Sequence, residues 1–203
     1  MPQITTDPAM LGLLAILAYL LGSIPFGIVI TRAFGLGDLR TIGSGNIGAT
    51  NVLRTGNKPA AAATLILDAA KGGIAVLIAR YIFGEDAAQL AGLAAFLGHL
   101  FPIWLGFKGG KGVATFLGIL LALAWPVGLA ACATWAAAAA ITRIASAAAL
   151  CAAGLSPIWL FVFDHGRMLV LVFILTVLVY IRHAANIARI KAGTEPRIGA
   201  KKT

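Results

Sequence analysis

The run Ile42-Gly-Ser-Gly-Asn-Ile-Gly-Ala-Thr-Asn51 gathers three glycines, two hydroxyls and two carboxamides between two long apolar stretches. A loop of this composition can turn several backbone N–H groups toward one point, and so hold a phosphate with few formal charges. Gly45 and Gly48 supply backbone, and Ser44, Asn46, Thr50 and Asn51 add hydrogen-bonding side chains. Arg40 and Arg54 add forked donors suited to phosphate oxygens. A second loop, Phe107-Lys-Gly-Gly-Lys-Gly112, repeats the glycine theme with Lys108 and Lys111. Two candidate phosphate cradles in one chain point to phosphorylated substrates.

Two nucleotide motifs are mimicked and excluded. Gly43-Ser-Gly-Asn-Ile-Gly48 satisfies GxGxxG, with Asp68 farther on. A dinucleotide fingerprint needs a preceding strand and a βαβ unit. Here an apolar run precedes the loop, and Asp68 falls inside the next one. Around Lys111, a Walker A pattern would need a glycine at Leu105 and a hydroxyl at Gly112. The anion-cradle reading survives and assigns Gly109, Gly110 and Gly112 to it.

Titratable groups are few. Asp68 and Lys71 stand at i and i+3 inside an apolar run, on one helix face, where they can neutralise each other. Each charge at mid-membrane costs roughly 2.5–3.5 kcal/mol on insertion scales. The pair supports helix packing, or Lys71 reaches the polar pocket. His183 and Asn186 share a helix face and, with Glu195 beyond, are the candidates for general-base work. His99 is expected to bond a neighbouring helix, and His165 falls in a polar loop. No histidine pair has metal-site spacing with an acidic partner, so no metal and no cofactor are expected.

These residues need a membrane to position them. The chain has 203 residues, 60% hydrophobic and 11% charged. Soluble domains average about 45–50% apolar and about 25% charged. The net charge of +9 comes without a basic–aromatic strip, so it reports membrane topology rather than a nucleic-acid partner. The first ten residues carry no basic cluster, so the first apolar run reads as a retained anchor. The expected fold is an all-α integral membrane protein, one domain over 1–203. Its seven spans lie at about 10–32, 59–83, 87–106, 112–125, 126–142, 145–163 and 168–188, followed by a basic tail over 189–203. Splitting 112–142 at Trp125-Pro126 follows from proline's effect on the residue before it. With seven spans, Arg32, Arg40, Arg54, Lys58, Lys108, Lys111, Arg143 and the tail bases, among them Lys201 and Lys202, fall on one face. Asp7, Glu85, Asp86 and Asp164 fall on the other, where Arg80 and Arg167 are the only positive residues. The positive-inside rule makes the basic face cytoplasmic, with the N-terminus out and the C-terminus in.

Several segments together carry a family resemblance. They are Ser44-Gly-Asn-Ile-Gly-Ala-Thr-Asn51, Asp68-Ala-Ala-Lys-Gly72, Gly98-His99 with Phe107-Lys-Gly-Gly-Lys-Gly-Val-Ala-Thr115, Thr142-Arg143 with Ser146, and His183-Ala-Ala-Asn-Ile-Ala-Arg189 with Gly193-Thr-Glu195. In this order they resemble the bacterial acyl-phosphate:glycerol-3-phosphate acyltransferases, the PlsY family. The resemblance runs from about Gly22 to Glu195. It implies a seven-helix enzyme of the bacterial inner membrane with its site facing the cytoplasm. The implied reaction moves an acyl group from acyl-phosphate to the 1-hydroxyl of sn-glycerol 3-phosphate. The products are 1-acylglycerol 3-phosphate (lysophosphatidate) and phosphate, a step of phospholipid biosynthesis. Ser44, Gly45, Asn46, Gly48, Thr50 and Asn51 would form a phosphate pocket with Arg54 beside it. The loop around Lys111 would bind glycerol 3-phosphate, and Ser146, His183, Asn186 and Glu195 would complete the site. Family members carry a Ser-Ser pair where this chain has Ala145-Ser146.

The chemistry agrees with the resemblance. An acyl-phosphate is a mixed anhydride with a good leaving group, so no enzyme nucleophile is needed. The remaining task is to position the hydroxyl and stabilise the departing phosphate. Either His183 or a substrate phosphate takes the proton. The bilayer would deliver the acyl chain, so membrane lipid is an expected partner. An organic-phosphate transporter is the competing class, but transporters often carry internal repeats and mid-membrane sites. Here no repeat is visible and the polar residues gather at one face.

Overall fold

A computed structural model of the chain describes residues 2–199, and Lys201 and Lys202 of the basic tail lie outside them. Every regular element among the described residues is helical. Five helical stretches are long and apolar enough to cross a membrane: Pro8–Ala33, Lys58–Phe83, Glu85–Leu105, Trp125–Thr142 and Ala145–Val162. A bent pair, Gly166–Arg182 with Ala184–Lys191, makes a sixth if counted as one span. Val113–Leu123 is apolar but shorter. The contacts gather into two compact units, one over Pro2–Leu123 and one from Ala124 onward.

The first unit contains α1 (Pro8–Gly22), α2 (Phe26–Ala33), the single turn α3 (Ala49–Val52), α4 (Lys58–Phe83), α5 (Glu85–Leu100) and α6 (Val113–Leu123). The expected span 10–32 is broken between Gly22 and Phe26. Pro25 has no N–H to continue the ladder and disfavours helix at Ile24. Hydropathy runs on through the break, which is why the apolar run alone does not show it. Thr5 and Thr6 donate their N–H groups to Asp86, so the N-terminal segment is pinned at the start of α5. At the far end Tyr19 donates to the carbonyl of Phe101 at 2.6 Å. The two helices α1 and α5 therefore run parallel. In the same way α6 runs parallel to α4: Thr115 donates to the carbonyl of Asp68, and Arg80 donates to those of Ala122 and Leu123. Arg80 closes the end of the short α6 and is itself held by Glu85 at 2.9 Å. Both glycine-rich loops emerge at the end of this unit opposite Asp86.

The second unit holds α7 (Trp125–Thr142), α8 (Ala145–Val162), α9 (Leu169–Arg182) and α10 (Ala184–Lys191). The helix boundary expected between 125 and 126 falls at Ala124, because proline fits the first turn of a helix and Pro126 sits there. Trp159 donates to Thr134 and Thr176 to the carbonyl of Ala153, which sets α7, α8 and α9 antiparallel in turn. The expected span 168–188 is bent by 61° where α9 gives way to α10 at His183.

Helix contacts in the first unit are close enough to need glycine. A Cβ on Gly118 of α6 would collide with the carbonyl oxygen of Ala69 on α4, whereas Gly12 of α1 has nothing within 4 Å. Gly118→Leu should therefore cost about 3 kcal/mol or more, at the upper end of overpacking losses. Gly12→Leu should stay within about 0.5 kcal/mol. Melting temperatures in detergent check this, and equal values for the two variants contradict the packing.

Candidate active site

The first loop is organised by one carboxamide. Asn51, 2% exposed, donates Nδ2 to the carbonyls of Leu39 (3.0 Å) and Ile42 (2.9 Å). Its Oδ1 accepts from the N–H of Ser44 at 3.1 Å, from the Ser44 hydroxyl at 3.4 Å and from Arg54 at 3.4 Å. Asn51 thus gathers Ser44 and Arg54 and holds the loop through its own side chain. Gly43, at φ 55°, passes so near Asn51 and Arg54 that a Cβ there would press on both. Beneath the loop, Ile28, Leu39, Ile47, Val52 and Ala60 form a buried apolar cluster. The N–H groups of Ser44 and Gly45 are taken up inside the loop. Among the described residues, those of Asn46, Ile47 and Gly48 meet no protein acceptor. Ala49 and Thr50 follow as the first residues of α3, where N–H groups lack intrahelical partners.

The second loop is built differently from the backbone cradle expected of it. The N–H groups of Phe107, Lys108, Gly109 and Gly110 donate to the carbonyls of Pro102, Leu105, Leu100 and His99. Those of Gly109 and Gly110 cap the end of α5, whose last carbonyls lack intrahelical partners, and those of Phe107 and Lys108 close the turn that follows it. Glycine composition signals backbone freedom but not where the N–H groups go. What this loop offers a phosphate is charge, from Lys108 and Lys111. The two loops are neighbours: Leu105 packs on the apolar cluster beneath the first loop. A cavity of about 520 Å³ is lined by Ile28, Arg32, Arg40, Trp104 and Leu105.

Asp68 and Lys71 form the expected pair, 2.8 Å apart with side chains 3% and 1% exposed. The structure adds two partners that spacing does not reveal. Lys71 also donates to the carbonyl of Ile24 at 2.8 Å, the group freed by the break at Pro25. His99 Nδ1 stands 3.6 Å from the same Asp68 oxygen, so His99 does meet a neighbouring helix.

In the second unit, Glu195 draws Ser146 and Asn186 together. Ser146 donates to Glu195 Oε1 at 2.7 Å, Asn186 donates to the same oxygen, and Arg189 donates to Oε2 at 2.6 Å. Forty-nine residues separate Ser146 from Glu195, so only the fold joins them. The His183 Nδ1 lies 2.8 Å from the carbonyl of Val179, which can only accept. A proton on Nδ1 therefore makes that hydrogen bond. Among the described residues no cluster of His, Cys, Asp or Glu could hold a metal ion.

The profile described as glycerol-3-phosphate acyltransferase matches residues 12–193. The chain belongs to the glycerol-3-phosphate acyltransferase family. A glycerol-3-phosphate acyltransferase of Cereibacter sphaeroides is 67% identical over 201 residues, 99% of this chain and 96% of that protein. One from Jannaschia sp. is 65% identical over 198 residues, 98% of each chain. A crystal structure of PlsY (YgiH), an integral membrane glycerol 3-phosphate acyltransferase in its glycerol 3-phosphate form, matches with a TM-score of 0.88 and 41% identity. It covers 94% of this chain and 96% of that one. The lysophosphatidic acid form gives 0.86 and 38% over the same shares.

Within this acyltransferase the expected site residues fall into groups. Ser44, Asn51 and Arg54 form one; Gly45, Asn46, Gly48 and Thr50 flank it in the same loop. Lys108, Gly109, Gly110, Lys111 and Gly112 form the neighbouring loop, where Gly112 passes tightly over the ring of Phe96. Asp68 and Lys71 lie buried, with His99 as an unforeseen third member. Ser146, Asn186 and Glu195 form the group of the second unit, and Arg189 belongs with them. Ala145 opens α8, one residue before Ser146.

The Glu195 group generates a pH prediction. Burial pushes its carboxyl up, but the bonds from Ser146, Asn186 and Arg189 and the Arg189 charge outweigh it and hold it below 4.5. A depressed carboxyl favours the folded state while ionised. That stabilisation is fully present above the ordinary value of 4.5 and is lost as pH falls through the lower folded value. The gap in melting temperature between the native chain and Glu195→Gln should therefore narrow as pH drops below this range. A gap that stays constant from neutral to acid contradicts the assignment.

Proposed function

We propose that this chain transfers an acyl group from acyl-phosphate to the 1-hydroxyl of sn-glycerol 3-phosphate. The hydroxyl oxygen bonds to the acyl carbon, the anhydride C–O bond breaks, and phosphate leaves with the electron pair. The hydroxyl proton goes to a base, either His183 or a phosphate of the substrates, and 1-acylglycerol 3-phosphate is formed. The observation that carries the reading is the first loop, with its unpartnered N–H groups at Asn46, Ile47 and Gly48 beside Ser44 and Arg54. Donors fixed before the substrate arrives stabilise developing phosphate charge without reorganising. Lys108 and Lys111 neutralise glycerol 3-phosphate, and Glu195 fixes Ser146, Asn186 and Arg189 in their working positions. The names of the related proteins and the two ligand forms of PlsY support both substrate and product.

The same reading extends to topology. One seven-span membrane domain with its N-terminus outside puts both loops at the cytoplasmic face of the bacterial inner membrane. The parallel run of α1 and α5, and the shared end of the two loops, support that alternation. The acyl chain reaches the site from the bilayer, and glycerol 3-phosphate reaches it from water.

Formation of 1-acylglycerol 3-phosphate in detergent from glycerol 3-phosphate and palmitoyl-phosphate tests the reaction, followed by phosphate release, with palmitoyl thioester as the alternative donor, followed by thiol release. The native chain should use the acyl-phosphate only. Ser44→Ala and Lys111→Ala should each lower turnover by about 100-fold or more. Near-native rates from both variants, or equal use of the thioester, overturn the proposal.

A further inference from the structure

Asp68 and His99 have no task in the proposed reaction, although each is buried. Asp68 Oδ1 faces Lys71 at 2.8 Å and His99 Nδ1 at 3.6 Å. Lys71 does not depend on Asp68 alone. It also donates to the carbonyl of Ile24, and its ammonium stands 5.7 Å from the centre of the Phe26 ring. A simple neutralising pair therefore does not account for the third member. His99 has a second contact that does. The edge of its ring bearing Nε2 lies against Gly110, where a Cβ would collide with the imidazole. The second loop also hangs on the same residue, since Gly110 donates its N–H to the carbonyl of His99 at 3.1 Å. Ring and main chain of His99 thus both bear on the residue preceding Lys111.

We propose that Asp68 and His99 are positioning residues for glycerol 3-phosphate: the carboxylate orients the imidazole, and the imidazole sets Gly110 and the lysine that follows it. The charge at Asp68 does not touch substrate. It acts through His99 on where Lys111 is held. Thr115 strengthens the arrangement, because its hydroxyl bonds the carbonyl of Asp68 at 2.8 Å and fixes the start of α6 just past the loop. The inference rests on the reading that the second loop binds glycerol 3-phosphate.

Steady-state kinetics of purified variants with palmitoyl-phosphate and glycerol 3-phosphate test it. His99→Ala should raise KM for glycerol 3-phosphate roughly tenfold, as loss of an orienting partner does. The kcat and the KM for palmitoyl-phosphate should change less than about threefold, and His99→Gln should recover most of the loss. Asp68→Asn with Lys71→Met, which removes both charges together, should give a similar rise. Adding His99→Ala to that pair should bring no further increase, because residues acting in series are not additive. A drop in kcat with unchanged KM, equal changes for both substrates, or additive effects each overturn the proposal. Lys111→Ala separates the two levels. If it alters the KM for glycerol 3-phosphate while His99→Ala does not, only the positioning role fails. If Lys111→Ala leaves that KM unchanged, the loop assignment itself fails and the positioning role falls with it.

Discussion

A chain surrounded by apolar material must satisfy its own backbone polar groups and its own charges. This constraint explains the placement of almost every polar side chain in the membrane-crossing part. Pro25 interrupts the first span and frees the carbonyl of Ile24, and Lys71 reaches across from α4 to bond it. The ammonium brings its own requirement, met by Asp68 beside it. The short α6 ends early, and Arg80 bonds its last carbonyls. The orphan carbonyls at the end of α5 are taken by the N–H groups of the second loop. Asn51 does the same for the first loop from within. Against this background, the unpartnered N–H groups at Asn46, Ile47 and Gly48 stand out as a place left for a ligand.

That contrast separates the two glycine-rich loops, which look alike as sequence. In one, a buried carboxamide closes the loop upon itself and leaves a run of donors beside an arginine. In the other, the backbone donors are consumed by α5 and the turn after it, and Lys108 and Lys111 add charge. The proposed reaction between two phosphorylated substrates would use both kinds. A preformed amide nest favours a leaving phosphate whose charge grows as the anhydride opens. Flexible ammonium groups suit a soluble dianion that must enter and leave.

Much of this organisation was legible in the residues. The continuous apolar runs placed α4 and α8 to within a residue or so of their observed bounds, and proline placed the division between α6 and α7. The break at Pro25 and the bend at His183 were not legible as such, because hydropathy records what a segment is made of and not which way it points. Ser44, Asn51 and Arg54 fall within one short stretch, so composition could group them. The bond from Ser146 to Glu195 and the contact of His99 with Gly110 join residues distant in sequence, and no spacing rule reaches them. The family resemblance supplied Ser146 and Glu195 as members of a site; their direct bond is a property of the fold.

On the proposed reaction, the N–H groups at Asn46, Ile47 and Gly48, with Arg54, receive a phosphoryl group. A crystal structure of the chain with a non-hydrolysable acyl-phosphonate tests it most directly. Phosphonate oxygens should lie within about 2.7–3.2 Å of those nitrogens, with Asn51 still bonded to the carbonyls of Leu39 and Ile42. A phosphonate bound elsewhere, with the loop's donors facing only water, contradicts it.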